Sequence, residues 1–390
     1  MIPRISAEYI EKLARVMPAI CLVGPRQSGK TTLARAVFPN HAYVSLEDLD
    51  ERMFAQEDPR GFFARYSAGT GLIIDEVQHV PILLSYMQTL IDQESRNGFF
   101  VITGSQNLLV NEAISQTLAG RIAVVTLYPF SLQELASVNA VPESLEQMLW
   151  KGCFPRLYVY DVPPDIWYAD YIQSYVERDV RQIKNIFDLS LFQRFLKLCA
   201  GRVGQVLNIA SLSSDAGIDQ KTARSWLSLL EATYVIILLQ PFYKNVGKRL
   251  IKSPKLYFVD TGLACSLLSL RRAEDVVGHY AKGGLMESLI VSDLYKQSYN
   301  QMRRPNCYFW RDQVGVEMDL LIESAHGVRP VEIKAGMTMS GDYVKPFSAL
   351  ASVFGDQLQE PTIVYTGQTK PFSHQIQLVN WRDAGALDVE

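Results

Sequence analysis

With 390 residues, 48% of them hydrophobic and 20% charged, and a net charge of −3, the chain has the composition of an ordinary globular protein with room for two or three domains. Its five cysteines (Cys21, Cys153, Cys199, Cys265, Cys307) stand far apart without a C-x-x-C pair, which argues against a zinc site or a disulfide framework and fits a reducing cytosol. No apolar run approaches the roughly 20 residues of a membrane helix. The N-terminus, with Arg4, Glu8, Glu11, Lys12 and Arg15, lacks the apolar core of a signal peptide. A cytoplasmic chain without a membrane segment is expected.

Charge is unevenly spread. Between Lys151 and Lys255 there are 15 Lys or Arg against 9 Asp or Glu, a local +6 that leaves −9 for the remainder. A basic middle in an acidic chain suggests that one region meets a polyanion.

A short helix, Ala7 to Val16, leads into the apolar run Ala19–Val23, and then comes Gly24-Pro25-Arg26-Gln27-Ser28-Gly29-Lys30-Thr31. This reads G-x-x-x-x-G-K-T between a strand and a helix that opens at Thr32, the context a phosphate-binding P-loop requires. Glycines let the backbone N–H groups curl inward toward phosphate oxygens, and the helix end adds its positive dipole. Lys30 is expected on the β- and γ-phosphates of a nucleoside triphosphate such as ATP, and the Thr31 hydroxyl on Mg²⁺.

Further on, His41–Leu46 alternates like a strand, and a polar helix is expected from Asp48 to about Tyr66. Gly71–Glu76 is an apolar run ending in two acids, as when a buried parallel strand delivers carboxylates to the edge of a sheet. Asp75 is expected to hold the Mg²⁺ and Glu76 to polarise the attacking water. Pro81 opens a helix, and Phe99–Ser105 is another buried strand. Its end is expected at the γ-phosphate, with Ser105 preferred to Thr103 as the sensor. Arg121 precedes a fifth strand, Ile122–Leu127, and stands either as a finger for a neighbouring subunit's γ-phosphate or as half of a surface salt bridge.

From Tyr128 to Ile183 the pattern is helical, with a capping box at Ser131 and Glu134 and a break at Gly152–Pro155. Arg156 or Arg178 is a candidate second nucleotide-sensing arginine. Residues 190–260 read as three helices and a basic hairpin, a winged helix-turn-helix. Gln220, Lys221, Arg224 and Ser225 face outward on its recognition helix, and Lys244, Lys248 and Arg249 on the wing are expected to hold DNA phosphates.

A second constellation follows. Glu287 lies on a helix opening at Lys282, Asp319 begins a strand, and Glu332 and Lys334 share one face of the next strand by period two. Carboxylates holding Mg²⁺ beside a lysine suit phosphodiester hydrolysis.

Taken together, these stretches resemble the prokaryotic AAA-type ATPases with a C-terminal restriction-endonuclease-like domain of uncharacterised function. The likeness rests on GPRQSGKTT at Gly24, LIIDEVQ at Leu72, ITGSQ at Ile102, LAGR at Leu118, YVERDV at Tyr175, KSPKLYFVDTGL at Lys252, FWRDQVGVEMD at Phe309 and VEIKAG at Val331. It implies an α/β chain: an AAA+ P-loop core over 1–128, a helical lid over 129–188, a winged helix-turn-helix over 189–265 and a nuclease-like domain over 266–390. By that likeness Glu287, Asp319, Glu332 and Lys334 match the PD-(D/E)-x-K positions, with Met318 where a proline is usual. The expected activity is ATP hydrolysis coupled to DNA by a homo-oligomer, with a hexamer as the expected number. The alternative is a regulatory ATPase whose later domains bind other proteins.

Overall fold

Five short apolar runs build the first sheet. The computed structural model describes residues 2–94, 96–104, 117–176, 188–243, 253–338, 341–372 and 376–387. The chain divides into two units, Met1–Phe130 with Tyr299–Arg303, and Ser131–Ser298 with Arg304–Glu390.

In the first unit the strands are β1 (Ala19–Val23), β2 (Ala42–Ser45), β3 (Leu72–Asp75), β4 (Phe100–Gly104) and β5 (Ile122–Thr126). All pair in parallel, in the order β2-β3-β4-β1-β5. Parallel strands covered on both faces read as continuous apolar runs, and β1 is buried along its whole length. Its alternate residues serve opposite faces: Ala19, Cys21 and Val23 pack with Phe62, Leu84 and Met87, while Ile20 and Leu22 pack with Ile10, Leu33 and Val125. Burying a large apolar side chain of this kind contributes roughly 1.5–3 kcal/mol. The covering helices include α1 (Ser6–Ala14), α2 (Lys30–Val37), α3 (Leu49–Glu57), α4 (Pro59–Tyr66) and α5 (Ile82–Gln93). The single helix expected from Asp48 to Tyr66 is two. Asp58 ends α3 and caps α4 by accepting from Gly61 N, and Pro59 opens α4, where a missing N–H costs nothing. Because β4 lies between β1 and β3, the carboxyl ends of β1, β3 and β4 form one edge.

The second unit opens with short helices at Leu132–Ala136, Leu145–Lys151, Arg156–Val159 and Pro164–Tyr171. The Ser131–Glu134 capping box forms as read. Then come α6 (Leu189–Ala200), α7 (Ile209–Ala216), α8 (Gln220–Ala232) and an antiparallel pair, β6 (Ile236–Leu239) and β7 (Lys255–Phe258). Helix α9 (Lys282–Asn300) leads into a six-stranded mixed sheet of β8 (Cys307–Arg311), β9 (Glu317–Ser324), β10 (Gly327–Ile333), β11 (Thr362–Tyr365), β12 (Lys370–Pro371) and β13 (Gln377–Asn380). Its order is β12-β13-β11-β10-β9-β8. Helix α10 (Lys345–Phe354) buries Phe347, Leu350 and Phe354 with Met318, Leu321, Ile363 and Leu378.

The 265/266 boundary expected from sequence falls inside this unit. Phe242 N donates to Phe309 O at 2.6 Å, and Phe309 N to Gln240 O at 3.1 Å, stitching the β6 end to β8. Ser288 Oγ accepts from Phe258 N at 2.8 Å and donates to Phe258 O at 2.9 Å, tying β7 to α9. Among the described residues no helix is long and apolar enough to cross a membrane.

Candidate nucleotide site and acidic cluster

The loop after β1 turns on residues in left-handed backbone. Gly24 (φ 146°), Gln27 (φ 59°) and Gly29 (φ 95°) curl the chain between Val23 and α2. A side chain at Gly24 would place its Cβ 2.2 Å from the Leu127 carbonyl oxygen, so only glycine fits. Lys30 is buried, and its Nζ donates to Gly24 O at 3.0 Å and Pro25 O at 2.8 Å. Ser28 is buried and its Oγ has no hydrogen-bond partner. An orphaned hydroxyl beside an ammonium that bridges two carbonyls is an arrangement a phosphate would complete. Pro25 is buried, Arg26 half-buried and Thr32 exposed. Arg4 braces the loop from α1's side, donating to Ser28 O at 2.9 Å and Tyr128 O at 2.6 Å.

The two acids stand at the end of β3. Asp75 accepts from Thr31 Oγ1 at 2.8 and 3.1 Å, from Tyr43 OH at 3.0 Å and from Thr103 Oγ1. The same Thr103 oxygen accepts from Glu76 N at 3.1 Å. Partial burial and the Asp75 charge push the Tyr43 phenol up to about 12, so it stays a donor at neutral pH. Glu76 sits in left-handed backbone (φ 55°, ψ 50°), which costs roughly 1–2 kcal/mol for a residue with a side chain. Gln78 Nε2 donates to its carboxylate. The Thr31 hydroxyl and the Asp75 carboxylate share one place, and this hard-oxygen donor set fits Mg²⁺.

Ser105, the expected sensor, lies outside the described residues, and Thr103 is the strand-end hydroxyl that touches both acids. Arg121 forms a bidentate pair with Asp92, Nε to Oδ1 at 2.6 Å and Nη2 to Oδ2 at 3.0 Å. That is the salt-bridge geometry left open above. Arg178, Lys244, Lys248 and Arg249 also lie outside the described residues. Arg156 is exposed, its guanidinium 5.3 Å from the Tyr160 ring centre.

In the second unit, α8 buries Ala223, Trp226, Leu227, Leu229 and Leu230, so Gln220, Lys221 and Arg224 face outward and Ser225 is half-buried. Asp219 caps the helix by accepting from Thr222 N at 2.9 Å.

Glu287, Asp319, Glu332 and Lys334 do gather, but with company that sequence reasoning missed. Lys255 of β7, its side chain 2% exposed, places Nζ 2.6 Å from Glu317 Oε1, 3.2 Å from Glu287 Oε2 and 3.4 Å from Asp319 Oδ1. Tyr257 OH donates to Glu287 Oε2 at 2.8 Å. Lys334 Nζ lies 2.5 Å from Glu332 Oε1 and 3.5 Å from Asp319 Oδ2, which also accepts from Ile333 N at 3.0 Å. Burial, followed by the charge of Asp319, pushes both Glu287 and Glu332 up to about 7. Burial alone would lower the lysines, but their carboxylates outweigh it, raising Lys255 and taking Lys334 to about 12.

These residues do not fit the expected Mg²⁺. Among the described residues no three His, Cys, Asp or Glu side chains form a metal-holding group, and both Asp319 oxygens are engaged. The physical reason is the buried ammonium of Lys255 among the acids. One observation leans the other way: Glu332 Oε2 is buried without a partner. The sequence did carry part of the signal. Glu317 and Asp319, like Lys255 and Tyr257, are spaced by two along strands and so share faces.

A family model described as "AAA domain" matches residues 17–136, and two domains of unknown function, DUF8612 and DUF4143, match 142–274 and 282–383. The uncharacterized protein Rv2008c of Mycobacterium tuberculosis is 30% identical over 385 residues, covering 96% of this chain and 83% of its own. Uncharacterized protein Mb2031c of Mycobacterium bovis matches to the same extent. Among solved structures, the Walker-type ATPase PABY2304 of Pyrococcus abyssi overlaps 67% of this chain and 94% of its own, at 14% identity and a TM-score of 0.44. The nucleotide site and the AAA domain make the chain an AAA-type ATPase, and it belongs to one family with the two uncharacterized mycobacterial proteins.

Proposed function

We propose that this ATPase acts on DNA, with ATP hydrolysis driving movement or rearrangement on the nucleic acid. Thr31 and Asp75 would hold Mg²⁺, which neutralises charge on the phosphates when bound. Lys30 would exchange its carbonyl partners for phosphate oxygens, and Glu76, displaced from Gln78, would orient the attacking water. Thr103 would report the γ-phosphate to both acids. The observation that carries the DNA reading is the outward set Gln220, Lys221 and Arg224 at the start of α8. Three helices followed by a two-stranded antiparallel sheet, within a segment of net +6, support a winged helix with α8 as its groove reader. The β8–β13 sheet with Asp319, Glu332 and Lys334 supports a nuclease-like domain.

The test is ATP turnover with duplex, branched and single-stranded DNA, alongside binding at several salt concentrations. DNA is expected to raise turnover, and Lys221→Ala with Arg224→Ala to reduce the salt slope by about one for each phosphate left unneutralised. No binding to any DNA would move the assignment to a regulatory ATPase whose second unit binds other proteins. The lysine-filled acidic cluster, which suits binding better than cleavage, favours that second reading.

Assembly into a homo-oligomer is part of the proposal, supported by the surface position of Arg121, whose pair with Asp92 a neighbouring chain can exchange. Arg121→Ala is then expected to lower turnover by about tenfold or more, with Asp92→Ala near wild type. Equal, small effects would leave Arg121 as an exposed pair, and a strictly monomeric mass for Glu76→Gln with ATP would count against assembly.

A further inference from the structure

We infer that the acidic cluster of the second unit is closed by an internal ammonium: Lys255 stands where a divalent cation would have to stand, so the cluster takes up no metal and supports no metal-dependent cleavage. This holds whether or not the protein acts on DNA.

An ammonium has three N–H donors and no acceptor. Lys255 meets three carboxylates, Glu317 at 2.6 Å, Glu287 at 3.2 Å and Asp319 at 3.4 Å, with its side chain 2% exposed. Such a buried charge is held only because those partners are present. A hard cation needs oxygens at about 2.0–2.1 Å in a near-octahedral shell. Drawing on the same three side chains would bring it against Nζ with no water between, and like charges in a buried place repel strongly. The remaining Asp319 oxygen is held by Ile333 N at 3.0 Å and faces Lys334 at 3.5 Å. Glu332 Oε2 is buried without a partner, but its sister oxygen Oε1 already holds the Lys334 ammonium at 2.5 Å.

The lysine is built in. Period two puts Lys255 and Tyr257 on one face of β7, and both reach the same oxygen of Glu287. The two bonds between Ser288 Oγ and Phe258 then fix β7 against the helix that carries Glu287. Strand pairing of Leu239 with Lys255 sets the register, so a one-residue slip would turn the ammonium away from all three acids.

Mn²⁺ binding to the full chain without nucleotide, followed by electron paramagnetic resonance, tests this. Wild type and Asp319→Asn are expected to bind Mn²⁺ identically, since neither has a site at the cluster. Lys255→Ala is expected to gain one Mn²⁺ per chain, and Lys255→Ala with Asp319→Asn to lose it again. A wild-type protein that binds Mn²⁺ at a site removed by Asp319→Asn or Glu332→Gln would overturn the inference. So would a folded Lys255→Ala that takes up no Mn²⁺, because the lysine would then not be what excludes the ion. If Lys255→Ala does not fold, the comparison of wild type with Asp319→Asn decides alone.

Discussion

The nucleotide site and the acidic cluster are each built from a lysine, acids and strand ends, yet they are opposite in character. Lys30 donates to two backbone carbonyls, neutral acceptors that a phosphate can replace. Lys255 is ringed by three carboxylates that no anion can replace and no cation can share. Asp75, by contrast, is surrounded by the hydroxyls of Thr31, Tyr43 and Thr103, which leave its negative charge uncompensated by any described cation. The difference teaches how to read a lysine beside acids: what its ammonium touches decides whether the place is prepared for a ligand or already neutralised.

The comparison breaks most easily at Lys30. Lys30→Ala is expected to lower ATP turnover by about a thousandfold or more, and Glu76→Gln by about a hundredfold or more with nucleotide binding retained. Phosphate release and nucleotide binding, measured on the same protein, separate the two. If Lys30→Ala leaves turnover within a few-fold, the first site is not the ATPase centre.

Next in size is the structural cost at Lys255. Removing one partner of a buried ionic network leaves uncompensated charge, so Lys255→Ala is expected to lose about 3–5 kcal/mol of stability by chemical denaturation. Lys30→Ala is expected to lose far less, since its partners are carbonyls at a loop. Equal losses would erase the distinction between the sites.

The smallest effect is in the pH dependence. A carboxyl raised from 4.5 to about 7 in the folded protein binds its proton there more readily than in the unfolded chain. Its contribution is therefore most favourable below the unfolded value and declines as pH rises from about 4.5 to 7. Glu332→Gln and Glu287→Gln are each expected to flatten the wild-type decline across that window, by on the order of 2 kcal/mol. Denaturation midpoints at pH 5 and 7.5 measure it. An unchanged slope would mean the acids are not held together as described.

Much of the first unit was legible along the chain. Buried parallel strands are continuous apolar runs, so β1, β3 and β4 announced themselves, and the glycine loop and the Asp75–Glu76 pair fell at their ends. The spacing of Glu332 and Lys334 placed them on one face, and the structure pairs them. What hid from sequence were partners brought from a distance by elements with no motif to mark them. Tyr43 reaches Asp75 because β2 lies beside β3, and Arg4 reaches Ser28 across the loop. Lys255 stands 32 residues before Glu287 and 64 before Asp319, on a strand that reads as part of another element. Sequence by itself determined the P-loop, the acid pair and the local faces, because those depend on periods of two and 3.6 and on local backbone geometry. Only the tertiary structure decided that the second set of acids encloses an ammonium, because charge neutralisation depends on which strands meet, and spacing along one strand carries no information about its neighbour.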